Sequence, residues 1–222
     1  MPVDIDPQEL LLKTVQAFNG TERVGQQNMV ATIVEGLEAG GHRIIQAGTG
    51  TGKSLGYLVP AAAHALSEGG STVVVSTATI ALQRQLMEKD LPLLASTVKS
   101  IYGIDLTFAV LKGRNNYVCL QKLHSSIPDP EGEALFDVSR GFLGDQAVAV
   151  RAWAEETESG DKDDFGDDID PRVWRAFSVN RRECVGESKC AFGEDCFTAQ
   201  RRLQAQSAHI VVTNHALLAI DV

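Results

Sequence analysis

Residues 47–54 read AGTGTGKS. Glycines at 48, 50 and 52 let a backbone turn tightly enough for several N–H groups to converge on one anion. Lys53 then supplies an ammonium that reaches β- and γ-phosphate oxygens, and Ser54 a hydroxyl suited to Mg²⁺. The strict phosphate-loop pattern opens on glycine, where this chain has Ala47. Ala47, Gly48, Thr49, Gly50, Thr51, Gly52, Lys53 and Ser54 are therefore the candidate nucleotide-binding residues, with Lys53 and Ser54 as the pair that acts on the phosphates. Kinases and ATPases share such a loop, so it implies nucleotide binding without specifying the reaction.

The second constellation is a cysteine quartet. Cys119, Cys184, Cys190 and Cys196 are separated by 64, 5 and 5 residues and are all the cysteines in the chain. The two short spacings exceed those of common zinc knuckles. Four thiolates suit tetrahedral zinc or a 4Fe–4S cluster, and spacing leaves both open.

These groups need elements to hold them. Asp6, Pro7 and Glu9 predict a helix start, with Leu10, Leu11, Val15 and Phe18 at helical spacing and Asn19-Gly20 ending it. A second helix is predicted over 25–38. The apolar run 43–47 predicts a buried strand leading into the loop, and a helix follows over 53–67. Further apolar runs at 71–76, 106–111 and 209–213 predict strands, with a helix over 81–94 between the first two. Strands that are continuously apolar and alternate with helices imply an α/β parallel sheet with helices on both faces. Residues 112–205 interrupt this pattern with all four cysteines, both tryptophans and few strand signals. The expected organisation is a nucleotide-binding domain over 1–111, a mostly helical inserted module over 112–205, and a return to the first domain over 206–222.

The formal net charge is −9. Residues 153–170 hold nine acids against one lysine, so this tract alone accounts for −8, and it reads as a solvated loop. Residues 172–202 hold seven Arg or Lys against four acids, together with Trp174, Phe177, Phe192 and Phe197. The summed charge therefore does not exclude a nucleic-acid partner. No apolar run approaches the ~18 residues of a membrane span. The start lacks a basic, apolar leader. The reading is a cytoplasmic monomer with reduced thiols.

Several segments together resemble one family. AGTGTGKS resembles motif I of superfamily 2 helicases. Arg23, Gln26 and Met29 form an R-x-x-Q-x-x-M element similar to the adenine-reading element of the XPD/DinG branch. Residues 76–86 (STATIALQRQL) resemble motif Ia of DinG-like helicases, residues 112–119 (KGRNNYVC) their first cluster-cysteine segment, and residues 212–218 (VTNHALL) the strand and turn before motif II. The chain is thus identified as similar to the N-terminal part of a bacterial DinG-type, XPD-like ATP-dependent DNA helicase. The resemblance implies a P-loop RecA-like sheet, and ATP with Mg²⁺ as cofactors. Arg23 and Gln26 would select adenine. A 4Fe–4S cluster would sit on Cys119, Cys184, Cys190 and Cys196. Thr77, Thr79 and Gln83 would lie along the path of single-stranded DNA, the partner of a 5′→3′ repair helicase.

No Asp-Glu-Ala-His box occurs up to Val222. The expectation for this chain alone is nucleotide binding without turnover. Two other readings fit the residues: a stand-alone single-stranded nucleic-acid-binding module, and an unrelated P-loop NTPase with a four-cysteine zinc insertion. For Thr79 a helix cap competes with a DNA contact. For the aromatics of 172–202, packing of a small core competes with base stacking.

Overall fold

The computed structural model describes residues 5–125, 142–166 and 168–221. They fall into two units, one running to Leu111 and resuming at Gln204, the other spanning Lys112–Leu203. No helix among the described residues is long and apolar enough to cross a membrane.

The first unit is α/β. Helix α1 (Pro7–Ala17) is capped by the Asp6 carboxylate, which accepts from the backbone N–H groups of Gln8 and Glu9, and its Leu10, Leu11 and Val15 face inward. Asn19 turns the chain away at φ 52°. Helix α2 (Val24–Ala39) ends on Gly40 in the left-handed region, and α3 (Lys53–Leu66) starts directly from the glycine loop. Strand β1 (Val73–Thr77) leads to α4 (Ile80–Gln85), which runs through a π turn (Leu86–Asp90) into α5 (Leu91–Tyr102). Strand β2 (Phe108–Val110) follows. The late strand β3 (Ile210–Asn214) inserts between β1 and β2 to give a parallel sheet of order β1-β3-β2.

The central position of β3 follows from its sequence. Ile210, Val211, Val212 and Thr213 are all buried, as a strand covered on both faces requires. Ile210 and Val212 join the main core with Leu58, Val59, Leu86, Leu91 and Leu94. Val211 packs on the other face with Ala109, Ala205 and Ala208.

One predicted strand is missing. Residues 43–47 pair with no strand of the sheet, and Ile44 is fully exposed. Strand preference in a β-branched run comes mostly from its neighbours. The three strands of the sheet pair with one another, and this run gains neither a ladder nor a cover.

The second unit is mainly helical: α6 (Leu120–Ser125), α7 (Phe142–Glu156), α8 (Lys162–Phe165), α9 (Pro171–Phe177) and α10 (Phe197–Gln206), the last crossing into the first unit's sequence. Its core gathers Val118, Leu123, Val150, Ala154, Ile169, Val173, Trp174 and Phe177. Two isolated antiparallel bridges, Tyr117 with Asp161 and Val118 with Ser178, tie its segments together.

The acidic tract is corrected here, because it is not a solvated loop. Its described part contains the end of α7, all of α8 and the core residue Ile169, while Asp167 lies outside the described residues. The acids are accommodated by specific partners. Asp161 and Asp170 cap α8 and α9, where the exposed N–H groups and the helix dipole favour a carboxylate. Lys112 Nζ lies 2.5 Å from Asp161 Oδ2 and 2.7 Å from Asp163 Oδ2, with side chains at most 22% exposed.

Candidate functional site

The glycine loop hangs between α2 and α3. Gly50 and Gly52 adopt φ of 79° and 77°, the left-handed conformations that favour glycine. At Gly52 a Cβ would also lie 2.4 Å from Gln26 Nε2. That contact is functional in form: buried Gln26 donates from Nε2 to Gly52 O at 2.8 Å. Arg23 Nη1 donates to Gly50 O. Both residues of the R-x-x-Q element therefore grip the loop backbone.

Lys53 folds back over the loop. Its Nζ donates to Gly48 O at 2.8 Å and Ala47 O at 3.2 Å, and Thr51 Oγ1 donates to Gly48 O at 2.9 Å. The ammonium thus sits at the loop's mouth on carbonyl oxygens, bonds that an incoming anion could replace. Lys53, Gly48, Thr49 and Gly50 are exposed, Ala47, Thr51, Gly52 and Ser54 half-buried. The structure brings Arg23, Gln26 and residues 47–54 into one locus.

The three residues of the motif Ia segment part company. Thr79 is exposed and caps α4, its Oγ1 accepting from Leu82 N at 3.3 Å. Thr77 and Gln83 are only 3% and 2% exposed. The Thr77 hydroxyl donates inward to Thr79 O at 3.2 Å. Gln83 lies on the inner face of α4, and its Nε2 lacks a hydrogen-bond partner among the described residues. In this structure both side chains are turned inward, while Thr79 alone of the three is exposed. Nearby, His215 Nδ1 lies 2.7 Å from Ser76 Oγ, joining the ends of β1 and β3.

All four cysteines are free thiols and half-buried. Burial pushes the Cys119 thiol up, and the nearby thiols of Cys190 and Cys196 push in the same direction. Arg114 Nη1 donates to Cys184 Sγ at 3.4 Å, and Cys190 Sγ donates to Gln121 Oε1 at 3.6 Å. Among the described residues no group of three or more Cys, His, Asp or Glu side chains is gathered closely enough to hold a metal ion. The nearby aromatics resolve unevenly. Trp174 and Phe177 are core residues, with Trp174 Nε1 donating to Asn115 O at 2.7 Å, and Phe197 packs against that core. Phe192 stacks on His124 with ring centroids 4.8 Å apart. Arg181, Arg182 and Lys189 remain exposed.

Sequence reasoning missed the buried Asp90, which accepts from Gln85 Nε2 at 2.9 Å, and Lys112 as an ion-pair residue. Nothing in the sequence pairs Lys112 with Asp161 and Asp163.

Comparison with known proteins matches residues 23–127 to the DEAD/DEAH box helicase family. The chain is 49% identical over 226 aligned residues to the ATP-dependent helicase DinG of Mycobacterium tuberculosis strain H37Rv, covering 99% of this chain and 34% of that protein. It is 32% identical over 222 residues to the ATP-dependent DNA helicase YoaA of Escherichia coli K12, covering 100% of this chain and 32% of that protein. It is 34% identical over 211 residues to the ATP-dependent DNA helicase DinG of Salmonella typhimurium, covering 88% of this chain and 28% of that protein. The chain spans about a third of the length of these curated relatives. With the glycine loop, the R-x-x-Q grip and the parallel sheet in place, these matches identify the chain as a member of the DinG-type helicase family.

Proposed function

We propose that this chain is the ATP-binding and iron–sulfur portion of a 5′→3′ ATP-dependent DNA helicase that works on single-stranded DNA in repair. The observation that carries the reading is the grip of Arg23 and Gln26 on the loop headed by Lys53. Bound Mg²⁺ would screen phosphate charge. Lys53 exchanges its carbonyl partners for β- and γ-phosphate oxygens, and Ser54 faces the cation. Arg23 and Gln26 select the adenine while holding the loop.

Cys119, Cys184, Cys190 and Cys196 hold a 4Fe–4S cluster in this proposal, which would supply a rigid, charged node. The donor set supports it: four free thiols in one unit, one of them hydrogen-bonded by a guanidinium, a partner suited to a thiolate. Thr79 contacts a phosphate of single-stranded DNA; in the cysteine unit, considered by itself, the exposed Arg181, Arg182 and Lys189 offer charge to phosphates, and the chain acts in the cytoplasm as a monomer. Alone it binds nucleotide without turning it over.

The test is titration of a fluorescent ATP analogue against the chain and its Lys53→Ala variant. Expected is Mg²⁺-assisted binding that Lys53→Ala abolishes, with steady-state ATP hydrolysis at background. Equal binding by both proteins would refute the nucleotide site, and hydrolysis above background would refute the claim of no turnover. Anaerobic purification followed by iron and sulfide analysis tests the cluster, and stoichiometric zinc would replace it.

A further inference from the structure

Gly160 lies inside the acidic tract at φ 62°, in the left-handed region. Its N–H donates to Thr157 Oγ1 at 3.1 Å. The next residue, Asp161, donates its N–H to Ser159 Oγ at 3.1 Å, and its carboxylate is held by Lys112 Nζ. Ser159 Oγ in turn donates to the Asp164 carboxylate. The backbone at Gly160 is therefore fixed from both sides.

Two cysteine segments rest on this turn. Gly160 O accepts from the N–H of Val118 at 2.9 Å, and Cys119 is the next residue. Tyr117 forms its antiparallel bridge with Asp161, so the chain just ahead of Cys119 lies along the tract. The Phe197 ring occupies the place that a Cβ on Gly160 would take: such a Cβ would lie 2.4 Å from both Cγ and Cδ2 of the ring. Cys196 is the residue before Phe197. The ring also packs against the core of the unit, which keeps it from swinging aside. Glycine meets both demands, a left-handed φ and no side chain.

We propose that Gly160 is a positioning residue for the cysteine set: its carbonyl holds the Cys119 segment, its bare Cα seats the Phe197 ring and with it the Cys196 segment, and the spacing of these two thiols is set from the acidic tract. This rests on the reading of the four cysteines as ligands of one group. Contacts behind the ligands orient them and tune what they bind. The tract thereby acquires a task, since its acids pin the turn that carries Gly160.

The experiment has two readouts on the full chain. In the reduced, metal-stripped chain carrying Cys184→Ser and Cys190→Ser, a short bis-alkylating reagent joins Cys119 to Cys196, and mass spectrometry gives the rate. In the chain with all four cysteines, reconstituted anaerobically with iron and sulfide, the loss of iron to a chelator is followed. Gly160→Ala slows the first and speeds the second, each about tenfold, the scale of one residue strained in the left-handed region. Thr157→Val keeps the glycine but removes the hydroxyl that holds its N–H, and it moves both rates the same way by less. It carries the test alone where Gly160→Ala does not fold. Gly166→Ala is the control: Gly166 also has a positive φ, 122°, but a Cβ there meets nothing within 4 Å. It matches the parent in both readouts. In Gly160→Ala/Phe197→Ala the new methyl no longer meets the ring, and the loss is smaller than the sum of the two single losses.

Cross-linking and iron retention equal to the parent's in Gly160→Ala, or in Thr157→Val where that variant stands alone, overturn the proposal. So do equal losses in Gly166→Ala, which mark a general weakening of the unit. Strictly additive losses in the double variant remove Phe197 from the device. A parent that takes up no iron while its cross-linking still responds to Gly160 refutes the cluster reading instead, and the two failures are thereby told apart.

Discussion

The two units differ in how much apolar core stands beside their polar contacts. Among the described residues, the main core of the sheet unit is made of seventeen buried apolar residues, beside which lie partly buried polar links such as Gln26 on Gly52 O and Gln85 on Asp90. In the cysteine unit the core is eight residues, and polar pins run alongside it: Lys112 between two aspartates, and the Trp174 indole on Asn115 O. Tyr117, 1% exposed, has no hydrogen-bond partner for its hydroxyl among the described residues, and burial foremost pushes that phenol far up. A large apolar core tolerates the loss of any one polar contact. A small one depends on directional contacts, and small domains commonly need such staples or a metal.

The sharpest way to break this comparison is Lys112→Met. It leaves Asp161 and Asp163 buried without their cation, a loss expected to be about 3–5 kcal/mol. Hydrogen exchange should accelerate across 112–203 and leave β1 and β3 protected. A change as small as that of a surface lysine would show that the pin is incidental. Leu58→Ala tests the other side. Leu58 is fully buried, so the cavity should destabilise the sheet unit by roughly 2–5 kcal/mol, with exchange in the cysteine unit unchanged. If both units loosen together, they do not differ in the way described.

Thr79→Ala removes the α4 cap and should lower stability by about 1 kcal/mol in chemical denaturation, whether or not DNA is bound there. Thr79→Ser restores the cap and isolates any DNA effect. The smallest effect concerns Asp170. Arg172 beside it holds its carboxyl at about 2, below the ordinary 3.8. Its lowered value contributes stability that is present above pH ~3.8 and lost as pH falls toward 2. Both side chains are solvent-screened, so Asp170→Asn should shift the acid unfolding midpoint only slightly. A large shift would mean that this exposed pair matters as much as the buried one.

The sheet was largely legible. The apolar runs at 71–76, 106–111 and 209–213 enclose or overlap the strands observed at Val73–Thr77, Phe108–Val110 and Ile210–Asn214. Burial on both faces writes itself into composition. The run at 43–47 carried the same composition and forms no strand, because pairing depends on neighbours that a local window does not contain. Asp6, Gly40 and Gly52 mark helix ends by their own chemistry and were readable one at a time. The acidic tract was not, since its charges are neutralised by Lys112, forty-nine residues from Asp161, and by helix ends that the charge pattern conceals. Within the site, the loop showed in its glycines, whereas Gln85 and Asp90, five apart, meet only because a helix departs from its regular winding.

That departure makes the length of one helix a specification in its own right. Leu86 and Leu91 are both fully buried although five residues apart, and Leu94 and Val98 continue the same buried line. Winding the same residues as ordinary α-helix would rotate everything on one side by about 100° against the other. Thr79 or the α5 core face could then keep its place, but not both. Deleting a single residue inside the turn would instead leave Leu86 four residues from the next buried leucine, on one helical face. The segment from β1 to α5 therefore carries a phase as well as a sequence, and a one-residue deletion within the turn should be tolerated where the same deletion within α5 is not.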